Sequence, residues 1–166
     1  MRISTLSAKV ISDSRKKPTI QVFVNGCSGA APSGTSKSKY EALDYPVSAR
    51  ESAKFVNSKL KKHLIGFRFD DFSDLRKLEL HLPKIFGANP TIALEFAILN
   101  AWAKDEKKPL WRLLNPKAKD MPRILANVVG GGAHAENSME IQEILVSPQT
   151  DSFATDVKEA EAIHKT

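Results

Sequence analysis

A chain of 166 residues is long enough for one domain and part of a second, and a fold of this size buries roughly 70% of the surface of its unfolded chain. Its hydrophobic content of 42% and charged content of 27% are close to globular averages, which argues against disorder along its whole length. No apolar run approaches the ~20 residues of a membrane-spanning helix. The N-terminus also lacks the apolar segment of a signal peptide, so we expect a cytoplasmic protein without a membrane partner.

The formal net charge of +6 leaves three classes of partner open, namely nucleic acid, an anionic membrane and an anionic substrate. Carboxylates separate the lysine clusters, and there is no zinc-finger spacing, RNA-binding aromatic signature or long basic run. These patterns indicate a solvated basic surface and argue against nucleic acid. The single cysteine, Cys27, excludes an intrachain disulfide and a thiolate metal site.

Alternating apolar residues predict two strands near the N-terminus, over residues 6–10 and 20–24. Asn25-Gly26 favours a tight turn into a third strand over 27–31, so we expect an antiparallel three-stranded meander. Residues 32–46 contain prolines, glycine, serines and lysines without a period. They predict a long loop, and long loops within compact domains often carry function.

Helical patterns follow this loop. Ser48 and Glu51 have the spacing of a capping box at the start of a first helix, for which Gly66 is a stop. A second helix is predicted over 72–82.

A third helix is predicted to have Asn89 as its N-cap and Pro90 at its first helical position, and to continue to Ala103. It is apolar on most sides, so we expect it to be the most buried helix. A short packed segment over 109–114 and a linker over 115–122 complete the first part of the chain.

Beyond the linker the pattern returns to apolar strands, over 124–129 and 139–146, and a helix begins at residue 152. The change in character predicts two domains. We assign residues 1–118 to the first and residues 119–166 to the opening of the second.

The candidate chemistry lies between the two later strands, where glycines 130–132 precede His134 and the second strand carries Gln142-Glu143. From the residues alone, His134 is either a catalytic group or a loop histidine held by the backbone, and the glycines either shape a site or permit a tight turn. Strict strand alternation would place Gln142 and Glu143 on opposite faces. Ser36 is either a ligand or one serine of a polar loop. The glycine run is not a phosphate-binding P-loop, because no Gly-Lys-Ser or Gly-Lys-Thr follows it.

Several short motifs occur in one order along the chain. They are Asp13-Ser14-Arg15 with Pro18-Thr19, residues 32–36, Tyr40-Glu41-Ala42, Gly87-Ala88-Asn89, residues 127–137 and Gln142-Glu143. With these motifs in this order, the chain resembles the N-terminal part of an enolase. The resemblance implies an α+β fold, with an N-terminal three-stranded antiparallel meander and helical bundle followed by the opening strands and helix of an incomplete enolase-type β/α barrel.

Enolases, or phosphopyruvate hydratases, are lyases that reversibly dehydrate 2-phosphoglycerate to phosphoenolpyruvate in glycolysis and gluconeogenesis and require Mg²⁺. By resemblance, Ser36 is a magnesium ligand, His134 and Glu143 are catalytic, and both contact substrate together with Gln142. Lys37 stands where the family usually has threonine. We expect it either to pair with the substrate phosphate or to replace part of the charge of one magnesium ion.

In the family, the principal carboxylate ligands, the lysine base and the acid glutamate lie beyond residue 166. The resemblance therefore implies a chain that is inactive alone, whether it is a portion of a longer enolase, half of a split enzyme with a complementing C-terminal chain, or a truncated relative. It implies a homodimer for the complete form. It leaves open the oligomeric state of this chain by itself, the position of the natural C-terminus, and whether the altered loop over 33–39 closes on substrate. The competing class is a non-catalytic enolase-like binding module for a protein or nucleic acid.

Overall fold

A computed structural model of the chain describes residues 1–34, 37–82, 86–132 and 139–166. The chain forms two compact units, which are residues 1–33 with 39–118 and residues 34–38 with 119–166. Among the described residues, none of the helices has the length and apolar character that a membrane crossing requires. The division into domains 1–118 and 119–166 stays a prediction.

The first unit begins with an antiparallel meander, as the alternating pattern predicts. Asn25 and Gly26 both have positive φ, of 49° and 78°, which the tight turn between the second and third strands requires. The Asn25 side chain also holds the N-terminal segment, because its Oδ1 accepts from the Ser4 and Thr5 amides at 2.8 and 3.0 Å. The strands are β1 Leu6–Ser12, β2 Pro18–Val24 and β3 Cys27–Ala30, paired in the order β1-β2-β3.

The helices of the first unit are α1 Ala49–Phe55, α2 Lys61–Leu64, α3 Ser73–His81, α4 Ala88–Asp105 and α5 Leu110–Leu114, with a π-helical turn, Val56–Leu60, between α1 and α2. Ser48 is the N-cap of α1, as predicted, and its Oγ accepts from the Glu51 amide at 3.2 Å. The Glu51 carboxylate accepts from Lys54 Nζ at 2.7 Å, so an ion pair stands where the second half of the capping box was expected.

The π-helical turn, which the sequence pattern does not predict, supports the edge of the sheet. Its Asn57 side chain donates to the Ala8 carbonyl and accepts from the Ala8 amide, both at 2.8 Å. These two bonds satisfy backbone groups of β1 that have no neighbouring strand. The turn is therefore a structural element of the first unit.

Helix α4 forms the centre of the core and packs on β2 and β3. It begins two residues earlier than predicted, since Gly87 is at the N-cap position with a φ of 92° and the helix starts at Ala88. The prediction that Asn89 is the N-cap is therefore wrong. Glycine adopts this backbone conformation easily, and the buried Asn89 side chain bonds elsewhere. The residues of α4 with no exposed surface are Ala93, Leu94, Ala97 and Ile98.

The second unit contains an antiparallel pair of strands, β4 Ala126–Gly130 and β5 Glu143–Val146, and helix α6, Phe153–Lys165. Ser152 caps α6 by accepting from the Thr155 amide at 3.2 Å. Both strands are shorter than predicted, and β4 is not a buried strand, because only its Val128 is buried. The described residues of this unit contain no closed barrel, in agreement with the predicted fold class.

Asp156 attaches α6 to the residues before it and is only 2% exposed. Its Oδ1 accepts from the amide and hydroxyl of Thr150, both at 2.8 Å, and its Oδ2 lies 3.3 Å from Arg123 Nη1. The bonds from Thr150, followed by the Arg123 contact, lower the pKa of the Asp156 carboxyl. Its contribution to stability is therefore present above the ordinary aspartate pKa and is lost as the pH falls through the lowered one.

Candidate functional site

The glycine turn after β4 lies against the polar pair at the start of β5. Gly130 pairs with Glu143 in the ladder, and the Gly131 amide donates to the Gln142 carbonyl at 2.7 Å. The Gly132 amide donates to the Met139 carbonyl at 2.9 Å. These bonds join residues 132 and 139, the two ends of the segment that contains His134.

Two of these glycines are required for different reasons. A Cβ on Gly131 would lie 2.2 Å from the Ile141 carbonyl oxygen and 2.9 Å from that of Met139, so only glycine permits this backbone approach. Gly132 has a φ of 57°, in the left-handed region that side chains disfavour. The turn is thus a tight backbone arrangement that brings the polar pair beside the glycines.

The structure places three of the five predicted site residues. Gln142 immediately precedes β5 and Glu143 is the first residue of that strand, and both are exposed and engaged in further interactions. Lys37 is also exposed, and it belongs to the segment 34–38 of the second unit. His134 and Ser36 lie outside the described residues, so their predicted roles stay predictions.

The described residues form no metal site by themselves. Within residues 1–34, 37–82, 86–132 and 139–166, no three His, Cys, Asp or Glu side chains come together closely enough to hold a metal ion. The predicted ligand Ser36 is not among them. The residues present therefore do not fit a Mg²⁺ ion without further ligands.

The segment 34–38 is preceded by a stem that the Asp13-Ser14-Arg15 motif supports. Asp13 Oδ1 accepts from the amides of Arg15 and Lys17 at 2.9 and 2.8 Å, which closes the turn before β2. The Arg15 guanidinium donates to the Ser33 carbonyl. The motif therefore has a structural function at the base of the long loop.

The end of the long loop is tied to the sheet through Tyr45. Its hydroxyl bonds to Thr19 Oγ1 at 2.8 Å and accepts from the Ile20 amide at 3.1 Å. Thr19 Oγ1 in turn donates to the Ala31 carbonyl at 2.8 Å. Both ends of the loop are thus held on the first unit by named side chains, which the aperiodic sequence of the loop does not indicate.

Comparison with known proteins decides the family. A family model for the N-terminal domain of enolases matches residues 3–114. The chain belongs to the enolase family. The enolase of Thermoplasma acidophilum is 33% identical over 161 residues, which cover 91% of this chain and 40% of that protein.

Two further enolases match this chain with similar identity and coverage. Enolase 3 of Lactobacillus johnsonii is 32% identical over 164 residues, and the enolase of Acidothermus cellulolyticus is 31% identical over 168 residues. Each match covers 88% of this chain and 38% of the relative. The enolase resemblance is confirmed, and the chain spans about 40% of the length of the relatives that it matches.

This enolase-family chain also contains a pair of carboxyl groups that its sequence does not reveal. Glu95 of α4 and Glu79 of α3 line a cleft of about 550 Å³, together with Leu43 and Pro46 at the end of the long loop. Burial, followed by the hydrogen bond with Glu79, raises the pKa of Glu95 to about 7. The two residues lie on different helices, so only their packing creates the pair.

We expect the Glu95→Gln variant to gain stability over the wild type as the pH rises. The pKa of Glu95 is about 7 in the folded chain, above the ordinary value of 4.5. The wild type therefore loses stability as the pH rises from about 4.5 to about 7, and above pH 7 the loss stays constant. Glutamine removes this loss, and the advantage should grow by about 1 kcal/mol between about pH 5 and about pH 8. Conversion of the whole pKa shift into free energy would give a larger difference in stability. We expect less, because Glu79 is exposed and solvent screens the pair.

Urea unfolding followed by tryptophan fluorescence measures this effect, because both tryptophans of the chain, Trp102 and Trp111, lie in the first unit. Glu51→Gln is the matched control, since Glu51 is an exposed glutamate of the same unit. An identical pH dependence in Glu95→Gln and the wild type would contradict the prediction.

Proposed function

We propose that this chain supplies the N-terminal part of a cytoplasmic phosphopyruvate hydratase, a lyase of glycolysis and gluconeogenesis that reversibly dehydrates 2-phosphoglycerate to phosphoenolpyruvate. The observation that carries the proposal is the extent of the enolase match. Coverage of 91% leaves about 15 of the 166 residues unmatched, so the match with the Thermoplasma acidophilum relative includes the glycine turn, Gln142 and Glu143.

The reaction needs a group that donates a proton to the departing hydroxide, or a group that positions that donor. It also needs contacts that hold an anionic substrate. In our proposal Glu143 and His134 act near the departing hydroxyl group, and Gln142 contacts the substrate. Lys37 offers a cation to the substrate phosphate. The backbone bonds between the glycine turn and residues 139–143 support this assignment, because a catalytic carboxylate has to be held in one position.

Magnesium is the cofactor that we propose for the complete enzyme, where it would offset the negative charge that develops beside the substrate carboxylate. Ser36 would supply one ligand. Because the described residues do not form a metal site, the remaining ligands in this proposal come from the part of the enzyme that the chain does not cover.

The experiment that tests the function combines two proteins. The purified chain is mixed with the C-terminal part of the Thermoplasma acidophilum enolase that this chain does not cover, and phosphoenolpyruvate formation is followed by its ultraviolet absorbance. We expect activity in the mixture with Mg²⁺ and none with either part alone. An inactive mixture, combined with tight nucleic-acid binding by the pure chain that weakens with salt, would instead support the binding module.

We further propose that the complete form is a homodimer, made either from a longer chain or from this chain with a complementing C-terminal chain. The intact mass of the protein isolated from its own cells separates these forms. A mass well above 18.3 kDa would indicate one longer chain, and a mass of 18.3 kDa would indicate either a separate complementing chain or a chain that does not act as an enolase.

A further inference from the structure

The Gly87-Ala88-Asn89 motif at the start of α4 has no part in the proposed chemistry, yet it contacts the end of the long loop. The Ala88 amide donates to the Leu43 carbonyl at 2.9 Å, and the Asn89 amide donates to the Asp44 carbonyl at 3.2 Å. A Cβ on Gly87 would lie 2.5 Å from the Asp44 carbonyl oxygen, so glycine permits the approach. Amides in the first turn of a helix have no partner within it, and here the loop supplies the acceptors.

Asn89 also reaches the beginning of the same loop. Its side-chain Nδ2 donates to Ser33 Oγ at 3.1 Å, and Asn89 is only 5% exposed. The carbonyl of Ser33 accepts from the Arg15 guanidinium, so the hydroxyl and the carbonyl of Ser33 are both engaged. Asn89 is thus bonded to residue 33 through its side chain and to residue 44 through its backbone.

We propose that Asn89 is a positioning residue that joins the two stems, Ser33 and Leu43–Asp44, of the loop that carries Lys37. The joining of the stems concerns this chain by itself, whereas its consequence for substrate binding rests on the proposed function. The buried amide group loses its acceptor when the stems separate, which opposes that separation. The motif that marks the family in the sequence therefore acts through the loop rather than on the substrate.

Limited proteolysis of the chain with trypsin tests the inference, because Lys37 and Lys39 are exposed cleavage sites between the two stems. We expect Asn89→Ala to increase the rate of cleavage at these lysines about fivefold, as the loss of one hydrogen bond predicts when cleavage follows the open population. The matched control is Asn100→Ala. Asn100 lies on the same helix and donates to the Ser28 carbonyl at 2.9 Å, away from the loop.

Two further variants separate a local effect from general destabilisation. Ser33→Ala should increase cleavage as Asn89→Ala does, and the double variant should show no further increase, because both changes remove one bond. Asn89→Asp should be cleaved about as slowly as the wild type, in contrast to Asn89→Ala, since the Ser33 hydroxyl can donate to the new carboxylate. Equal cleavage in Asn89→Ala and Asn100→Ala, or additive effects in the double variant, would overturn the inference.

The same variants distinguish this inference from the proposed function. In the active mixture, Asn89→Ala should raise the KM for 2-phosphoglycerate more than it lowers kcat, because the loop supplies a substrate contact rather than a proton donor. If cleavage is faster in Asn89→Ala than in Asn100→Ala but the mixture is inactive, the inference that Asn89 joins the stems is retained. Only the enolase assignment is then rejected. A change in kcat alone would contradict the positioning of a substrate contact.

Discussion

The Gly29→Ala variant is expected to lose about 3 kcal/mol or more of the free energy of unfolding of the first unit. Gly29 lies in β3 under α4, and an added Cβ would lie 2.3 Å from the Ala93 carbonyl oxygen and 2.6 Å from the Ala97 nitrogen. Both are backbone atoms, so the helix as a whole has to move away from the sheet. Overpacking of a core commonly costs about 1–3 kcal/mol, and a displaced helix belongs at the upper end or beyond it.

Urea unfolding followed by far-ultraviolet circular dichroism and tryptophan fluorescence measures this loss. Gly130→Ala is the control, because it adds the same methyl group to a strand glycine with no heavy atom within 4 Å of the new Cβ. Gly26 is unsuitable because its φ of 78° would add backbone strain. If Gly29→Ala unfolded at the same urea concentration as the wild type, α4 would not pack its backbone directly on β3.

The Glu143→Gln variant is expected to lower kcat/KM for 2-phosphoglycerate by roughly 100-fold in the active mixture. Glutamine keeps the size of the side chain but can neither ionise nor exchange a proton, and such groups typically contribute 100-fold or more to proton-transfer chemistry. The backbone of Glu143 pairs with Gly130, so the substitution leaves the ladder intact. The loss should therefore appear in activity while β4 and β5 stay paired.

Glu140→Gln is the matched control for this prediction. Glu140 is an exposed glutamate three positions away, and it precedes β5. Its variant should retain the wild-type kcat/KM within about twofold, since surface substitutions away from a site have small effects. Equal activity of Glu143→Gln and Glu140→Gln would remove Glu143 from the catalytic assignment, even if the chain still restored enolase activity.

The sequence predicted the sheet of the first unit well, because the signals are local. Alternation of apolar residues and the Asn25-Gly26 turn depend on neighbours along the chain, and the observed strands differ from the predicted ones by only one or two residues. The prediction for Asn89 was wrong for the opposite reason. Asparagine is a residue type that often caps helices, but the Asn89 side chain instead donates a hydrogen bond to Ser33, which lies 56 positions away in the chain.

The strands of the second unit show the same limit. Apolar composition predicted strands over 124–129 and 139–146, whereas β5 begins only at Glu143 and Leu125 is 68% exposed. The extent and burial of a strand depend on which elements cover it. A run of apolar residues indicates that a strand exists without determining how much of it is paired or buried.

By itself the sequence determined the order of the elements, the meander and the enolase resemblance, since periodicity, turn residues and ordered motifs are properties of the linear chain. Only the tertiary structure decided that Gly29 admits the backbone of α4, that Glu79 and Glu95 share a cleft, and that Asn89 joins both stems of the long loop. Each of these depends on distances between residues far apart in the chain. Such distances follow from packing, which no local pattern encodes.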